Sequence, residues 1–190
     1  MGATIAVLGS ACSASAQESS PPRHRSTPTT DATTSPPPTT APSLTPEGDL
    51  AAAGAFKTLA GYEYVDPPDT AVQSFRDAVS GSSDLLELFD GFGLKVVSTN
   101  GGQVVASLMA LSIRPRIQDA TQAYDQLLNK VSPLALVETT TLSNARVTAI
   151  DDHSGLQQFL WPHERVMYIA FGPDRQALEG VMTALVAASG

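Results

Sequence analysis

Two groups in the C-terminal half have the residue types that bind divalent metals: Asp151, Asp152 and His153, and then His163 and Glu164. Carboxylate oxygens and imidazole nitrogens are ordinary zinc ligands. The segment between them, Leu156–Leu160, reads as a strand. About five to seven strand residues span roughly 20 Å, so one ion is out of reach of both groups. The spacing therefore favours polar turn residues, and no metal site is assigned. Ser154 follows His153, but adjacency in sequence is not a hydrogen-bonded nucleophile and base, and no G-x-S-x-G elbow occurs. Gly91-Phe92-Gly93 lacks the third glycine of a phosphate cradle and reads as a loop. Glu87 and Asp90 are expected on solvated faces. Trp161, the sole tryptophan, lies beside Pro162 at a strand end. It either offers its ring to a ligand or rims the core. Trp161, His163 and Glu164 are thus the candidate ligand-binding residues, with no catalytic residue and no cofactor implied.

The elements that would carry them follow from periodicity and turn chemistry. Asp49–Leu59 is Ala-rich and predicts a short helix with Asp49 as N-cap. Tyr62–Val65 reads as a strand stopped by Pro67-Pro68. Asp69 can cap a helix whose apolar face is Val72, Phe75 and Val79. Ser83–Phe89 predicts a further turn or two of helix. Leu94–Thr99 and Gln103–Ile113 are strands around Asn100-Gly101-Gly102, a strong hairpin signal. Pro115 opens a helix with Ile117, Tyr124, Leu127, Leu128 and Val131 as its stripe, closed by Pro133. Leu134–Leu142 and Ala145–Ile150 form strands around Ser143-Asn144. Leu156–Leu160 and Arg165–Phe171 form another hairpin through Pro162-His163-Glu164, and Asp174 caps the last helix.

Short turns between strands imply an α+β fold with a largely antiparallel sheet and helices packed on one face. Strand-strand-helix occurs twice, with Pro115, Gln118 and Leu127 matching Pro173, Gln176 and Leu185 at one offset. The expected core is Val104, Leu108, Leu127, Ile150, Phe159, Ile169, Phe171, Leu178, Val181 and Leu185.

Ahead of this domain, residues 47–190, lies a tether over residues 13–46. Pro21, Pro22, Pro28, Pro36, Pro37, Pro38, Pro42 and Pro46 fall in it, out of 14 prolines in the chain, with Thr and Ser in most gaps. Leu44 is its only large aliphatic residue. Such a segment buries too little to offset its conformational entropy and is expected to stay disordered. Proline biases it toward an extended form rising roughly 3.1 Å per residue. Ser/Thr-Pro tracts are also O-glycosylation substrates. Glu18 and Asp31 cancel Arg23 and Arg25, so the formal charge of -8 belongs to the domain. An acidic surface repels phosphate backbones, so nucleic acid is a poor partner and none is expected.

Residues 1–12 hold a short apolar run, Ala3–Gly9, and the only cysteine, Cys12. The run is too short to cross a bilayer and is followed by small residues, as in a cleaved export signal. No Lys or Arg precedes it; an upstream start would supply one. Leu8-Gly9-Ser10-Ala11-Cys12 resembles the lipobox of bacterial lipoproteins. With the tether, the chain resembles envelope lipoproteins of high-GC Gram-positive bacteria. The resemblance implies cleavage just before Cys12, a lipid on its thiol, and an extracytoplasmic domain anchored to the cell membrane. Cleavage after Ala14-Ser15-Ala16 is the rival reading and implies plain secretion; an incidental cysteine in a disordered terminus is the third. One cysteine forms no internal disulfide, which agrees with export but does not require it.

The expected function is a non-enzymatic envelope domain that binds a ligand or a protein partner. One form of it resembles lipid-carrying lipoproteins that enclose acyl chains against a curved sheet. The alternatives are a small hydrolase of envelope or wall substrates, and an assembly factor for a membrane complex.

Overall fold

The computed structural model describes residues 41–129, 135–151 and 153–190. Cys12, the apolar run, most of the tether, Val131, Pro133, Leu134 and Asp152 lie outside these residues. The elements in chain order are α1 (Pro46–Gly54), β1 (Tyr62–Val65), α2 (Asp69–Ser80), α3 (Ser83–Leu88), β2 (Phe89–Thr99), β3 (Val104–Ile113), α4 (Ala120–Leu128), β4 (Leu136–Leu142), β5 (Ala145–Asp151), β6 (Gln157–His163), β7 (Val166–Gly172) and α5 (Arg175–Ser189). Among the described residues, no helix is long and apolar enough to cross a membrane.

One sheet holds all seven strands in the order β1-β2-β3-β7-β6-β5-β4, and every neighbouring pair is antiparallel. The fold is α+β, as the short turns imply. β4 to β7 form a meander, and β7 closes against β3 at the centre, in register Met109↔Ile169.

The helices do not share one face of the sheet. α1 and α5 cover a core that includes Ala106, Leu108, Ala110, Ala149, Phe159, Tyr168, Ala170, Leu178 and Leu185. α2, α3 and α4 cover another, with Met109, Leu111, Ile113, Ile150, Leu160, Met167, Ile169 and Leu127. Successive strand residues point to opposite faces. Apolar runs without alternation, as in β3 and β7, therefore need cover on both sides.

The doubled strand-strand-helix order is present as β2-β3-α4 and β6-β7-α5, but it is not a symmetric repeat. A two-fold axis relating antiparallel neighbours such as β3 and β7 runs perpendicular to the sheet and would keep both helices on one face. Leu127 and Leu185 instead enter different cores.

Several boundaries move for local reasons. α1 begins at Pro46 because Thr45 is the N-cap, its hydroxyl accepting the Gly48 N–H at 3.0 Å. Asp49 is drawn into tertiary contacts: Oδ1 accepts the Phe92 N–H at 2.9 Å, and Oδ2 pairs with Arg76 at 2.8 Å. Leu44, read as tether, packs against the α2–α4 core. α2 begins at Asp69, but its N-cap position is Pro68, and no side chain caps it.

α4 starts at Ala120, capped by Asp119, rather than at Pro115. Residues 114–117 form a turn, held by the Arg165 guanidinium donating to the Ile117 carbonyl at 2.7 Å and the Ile113 carbonyl at 2.9 Å. β6 continues through Pro162 and His163, where a turn was expected. Its pairing with β5 runs from Asp151↔Gln157 to Thr148↔Leu160, so Pro162 lacks an N–H where no β5 partner stands. Val104, expected in the core, is 63 % exposed because it precedes Ser107, where pairing with β7 begins. Phe171 is half-buried.

Candidate ligand-binding site

Strand alternation puts Trp161 and His163 of β6 and Tyr168 of β7 on the α1/α5 face. Their rings form a ladder. His163 stacks on Trp161 at 4.7 Å between centroids and 21° between planes. Trp161 stacks on Tyr168 at 5.5 Å and 20°. Trp161 is 6 % exposed and packs in the α1/α5 core rather than offering an open platform. His163 is half-buried beside it. Glu164 is exposed in the β6–β7 turn with a positive φ of 49°. The structure therefore brings Trp161 and His163 together and leaves Glu164 at their rim.

Further in, the Tyr168 hydroxyl donates to the Ala55 carbonyl at the end of α1, at 2.8 Å. Burial pushes its pKa up to about 12, and the Glu164 charge acts in the same direction. Tyr64 reaches the same region from β1. Its ring meets Phe56 edge-to-face at 5.6 Å and 70°. The Tyr64 hydroxyl is buried and, among the described residues, has no hydrogen-bond partner. Burial, and then Tyr168, raise its pKa above the ordinary tyrosine range. Tyr62, on the same face of β1, extends toward α5, where Gly180 leaves its hydroxyl the space that a Cβ would fill.

Glycine makes this face. A Cβ on Gly91 would overlap the backbone of Gly48, and one on Gly93 would meet Phe56 at 2.9 Å. Gly91-Phe92-Gly93 is thus not a loop. It is part of β2, and its glycines let α1 lie directly on the strand. Asp90, expected on a solvated face, is half-buried under α1. Its carbonyl accepts the Thr45 N–H at 2.7 Å, and its Oδ1 is buried without a partner among the described residues.

The other candidates separate. Asp151 Oδ1 accepts the His153 N–H at 2.8 Å, closing the turn after β5, where His153 and Gly155 have φ of 64° and 86°. The Gln157 side chain, and then the His153 amide, hold the Asp151 carboxyl below its usual range. Ser154 Oγ accepts the Leu156 N–H at 3.4 Å. This turn and the His163–Glu164 pair occupy opposite ends of β6. Among the described residues, no three His, Cys, Asp or Glu side chains gather around a point.

This face of the sheet thus carries three stacked rings, with the phenol hydroxyls of Tyr64 and Tyr168 buried further in. Tyr64 and Tyr168 were not singled out from the sequence, although Tyr62-Glu63-Tyr64 alternates so as to place two tyrosines on one face. No protein-family model matches this chain, and neither a curated protein nor a solved structure does.

Proposed function

We propose that this protein is an exported envelope protein, held to the membrane through a lipid on Cys12. Its α+β domain binds a largely apolar ligand of the envelope without transforming it. The observation that carries the binding reading is the Tyr64 hydroxyl, buried against Phe56 and the α1/α5 core with no hydrogen-bond partner among the described residues. A buried hydroxyl left unpaired costs about 1–3 kcal/mol. A ligand with one polar group near an apolar body would recover that cost. The anchor rests on the Leu8–Cys12 motif and the tether that separates it from the domain. A diacylglyceryl group holds stably in a bilayer where a single chain does not.

Native and intact mass spectrometry of the full chain, purified in mild detergent from its own envelope, test both parts. The intact mass is expected to show a diacylated N-terminus at Cys12. The native mass is expected to show a co-purified ligand whose occupancy falls in Tyr64→Phe. A mature N-terminus at Gln17 with no added mass replaces the anchor with plain secretion. A diacylated protein without any bound mass removes the ligand reading and leaves the anchor standing.

A further inference from the structure

Gln158 of β6 is 4 % exposed, and its Oε1 is buried with no hydrogen-bond partner among the described residues. Phe159 and Trp161 belong to the α1/α5 core and Leu160 to the other, so alternation places Gln158 on the α2–α4 face. A buried amide group without a partner is costly, and folds rarely leave one. Thr148 of β5, buried on the same face, is partnered: its Oγ1 shares a hydrogen bond with the Tyr124 hydroxyl of α4. The fold thus satisfies Thr148 and leaves Gln158 open.

Cross-strand pairing sets Gln158 in a row. Val137 of β4 stands opposite Ile150 of β5, Ile150 opposite Gln158, and Gln158 opposite Phe171 of β7. Opposed residues share a face, so all four lie on the α2–α4 side. Phe75 of α2 meets Phe171 at one end of the row, with ring centroids 5.3 Å apart. Tyr124 of α4 meets the neighbouring row, at Thr148, whose partner in β6 is Leu160. The other end of the row reaches solvent at Val137, which is half-exposed. Gln158 therefore lies between the α2 and α4 contacts, as the one polar residue of an apolar row that opens at the sheet edge.

We propose that Gln158 is the polar contact of a second binding site, which takes an aliphatic alcohol along the row from Gln158 to Val137. Turning the amide over would put its NH2 where Oε1 stands, so the missing group must be able to donate and to accept. A hydroxyl does both from one atom, whereas a carboxylate only accepts and an ammonium only donates. The neighbours Ile150 and Val137 suit an aliphatic body. From β6 to β4 is two strand spacings, roughly 10 Å, the length of an extended chain of eight carbons. This site lies on the opposite face of the sheet from Tyr64 and does not depend on the Tyr64 reading.

The test uses the full, isotope-labelled chain carrying Cys12→Ser, which removes acyl chains that could fill the row. Gln158→Met in that background keeps the side-chain length and removes both polar ends. It should melt at the same temperature as its parent or higher, since no bond within the fold is lost. In the parent, the Gln158 side-chain NH2 resonances, assigned by their loss in Gln158→Met, should shift and saturate as n-octanol is added. Followed at the backbone amides of β5 and β6, Gln158→Met should bind n-octanol about fivefold more weakly, the loss of one hydrogen bond. Tyr64→Phe should leave that affinity unchanged, and octanoate should bind the parent more weakly because its charge would be buried. A lower melting temperature in Gln158→Met means that the amide is bonded within the fold, and overturns the proposal. So do Gln158 resonances that ignore n-octanol, equal affinity in Gln158→Met, an affinity that falls in Tyr64→Phe instead, or tighter binding of octanoate.

Discussion

The same strands show two different surfaces. Toward α1 and α5 the sheet presents Gly91, Gly93, Ala106, Ala110, Ala149 and Ala170 among its larger residues. Toward α2, α3 and α4 it presents Phe92, Leu94, Met109, Leu111, Ile113, Met167 and Ile169. On the first face the small residues let α1 rest directly on the backbone of β2. They also leave volume for Tyr62, Tyr64, Trp161 and Tyr168. On the second face, side chains as large as Phe and Met fill the layer between sheet and helices. The small face thus hosts the aromatic and phenolic groups of the candidate site, while the large face is chiefly aliphatic packing. Burial alone does not separate them; residue volume does.

Removing volume from each face should give the largest effects. Leu127 and Leu185 are 1 % and 0 % exposed. Leu127→Ala and Leu185→Ala should each cost about 2–5 kcal/mol in denaturant melts. They belong to separate cores, so the double variant should lose the sum. A loss below about 0.5 kcal/mol in either would mean that its helix face is wrongly assigned.

Adding volume to the small face should cost less but discriminate more sharply. Gly91→Ala drives a Cβ into the backbone of Gly48 and should cost about 1–3 kcal/mol or more. Gly54→Ala, in the same α1, meets nothing within 4 Å and should gain up to about 1 kcal/mol of helix propensity. Equal effects from the two would break the claim that α1 docks through Gly91.

The smallest effect is a slope at high pH. Tyr168 titrates at about 12 when folded, above its ordinary value of 10.0, because burial disfavours the phenolate. A raised folded pKa stabilises fully below the unfolded value and loses that contribution as pH rises through the folded one. Stability should therefore fall between pH 10 and about 12. Tyr168→Phe should flatten that fall without abolishing it, since Tyr64 is raised as well. An unchanged slope would place the Tyr168 hydroxyl in water.

Much of the architecture was legible locally. The Asn100-Gly101-Gly102 hairpin, the Asp174 cap and the buried Leu178, Val181 and Leu185 of the last helix depend on neighbours in sequence, and each stands where expected. The faces were less legible, although the unbroken apolar runs of β3 and β7 carried the signal for two-sided cover. The site was legible only in part. Trp161 and His163 were candidates by residue type, and their stacking follows from β6 running on through Pro162. That depends on where β5 stops pairing.

By itself the sequence determined most of the elements and the antiparallel pairing of the sheet, though not the order of its strands. Propensity, capping and turn geometry act over a few residues and need no partner. The tertiary structure alone decided that α1 lies on Gly91 and Gly93, that α4 and α5 part to opposite faces, and that the Tyr168 hydroxyl meets the end of α1. Each of these joins residues distant in the chain, such as Ala55 with Tyr168. Such contacts depend on which surfaces can approach once every strand has its neighbours.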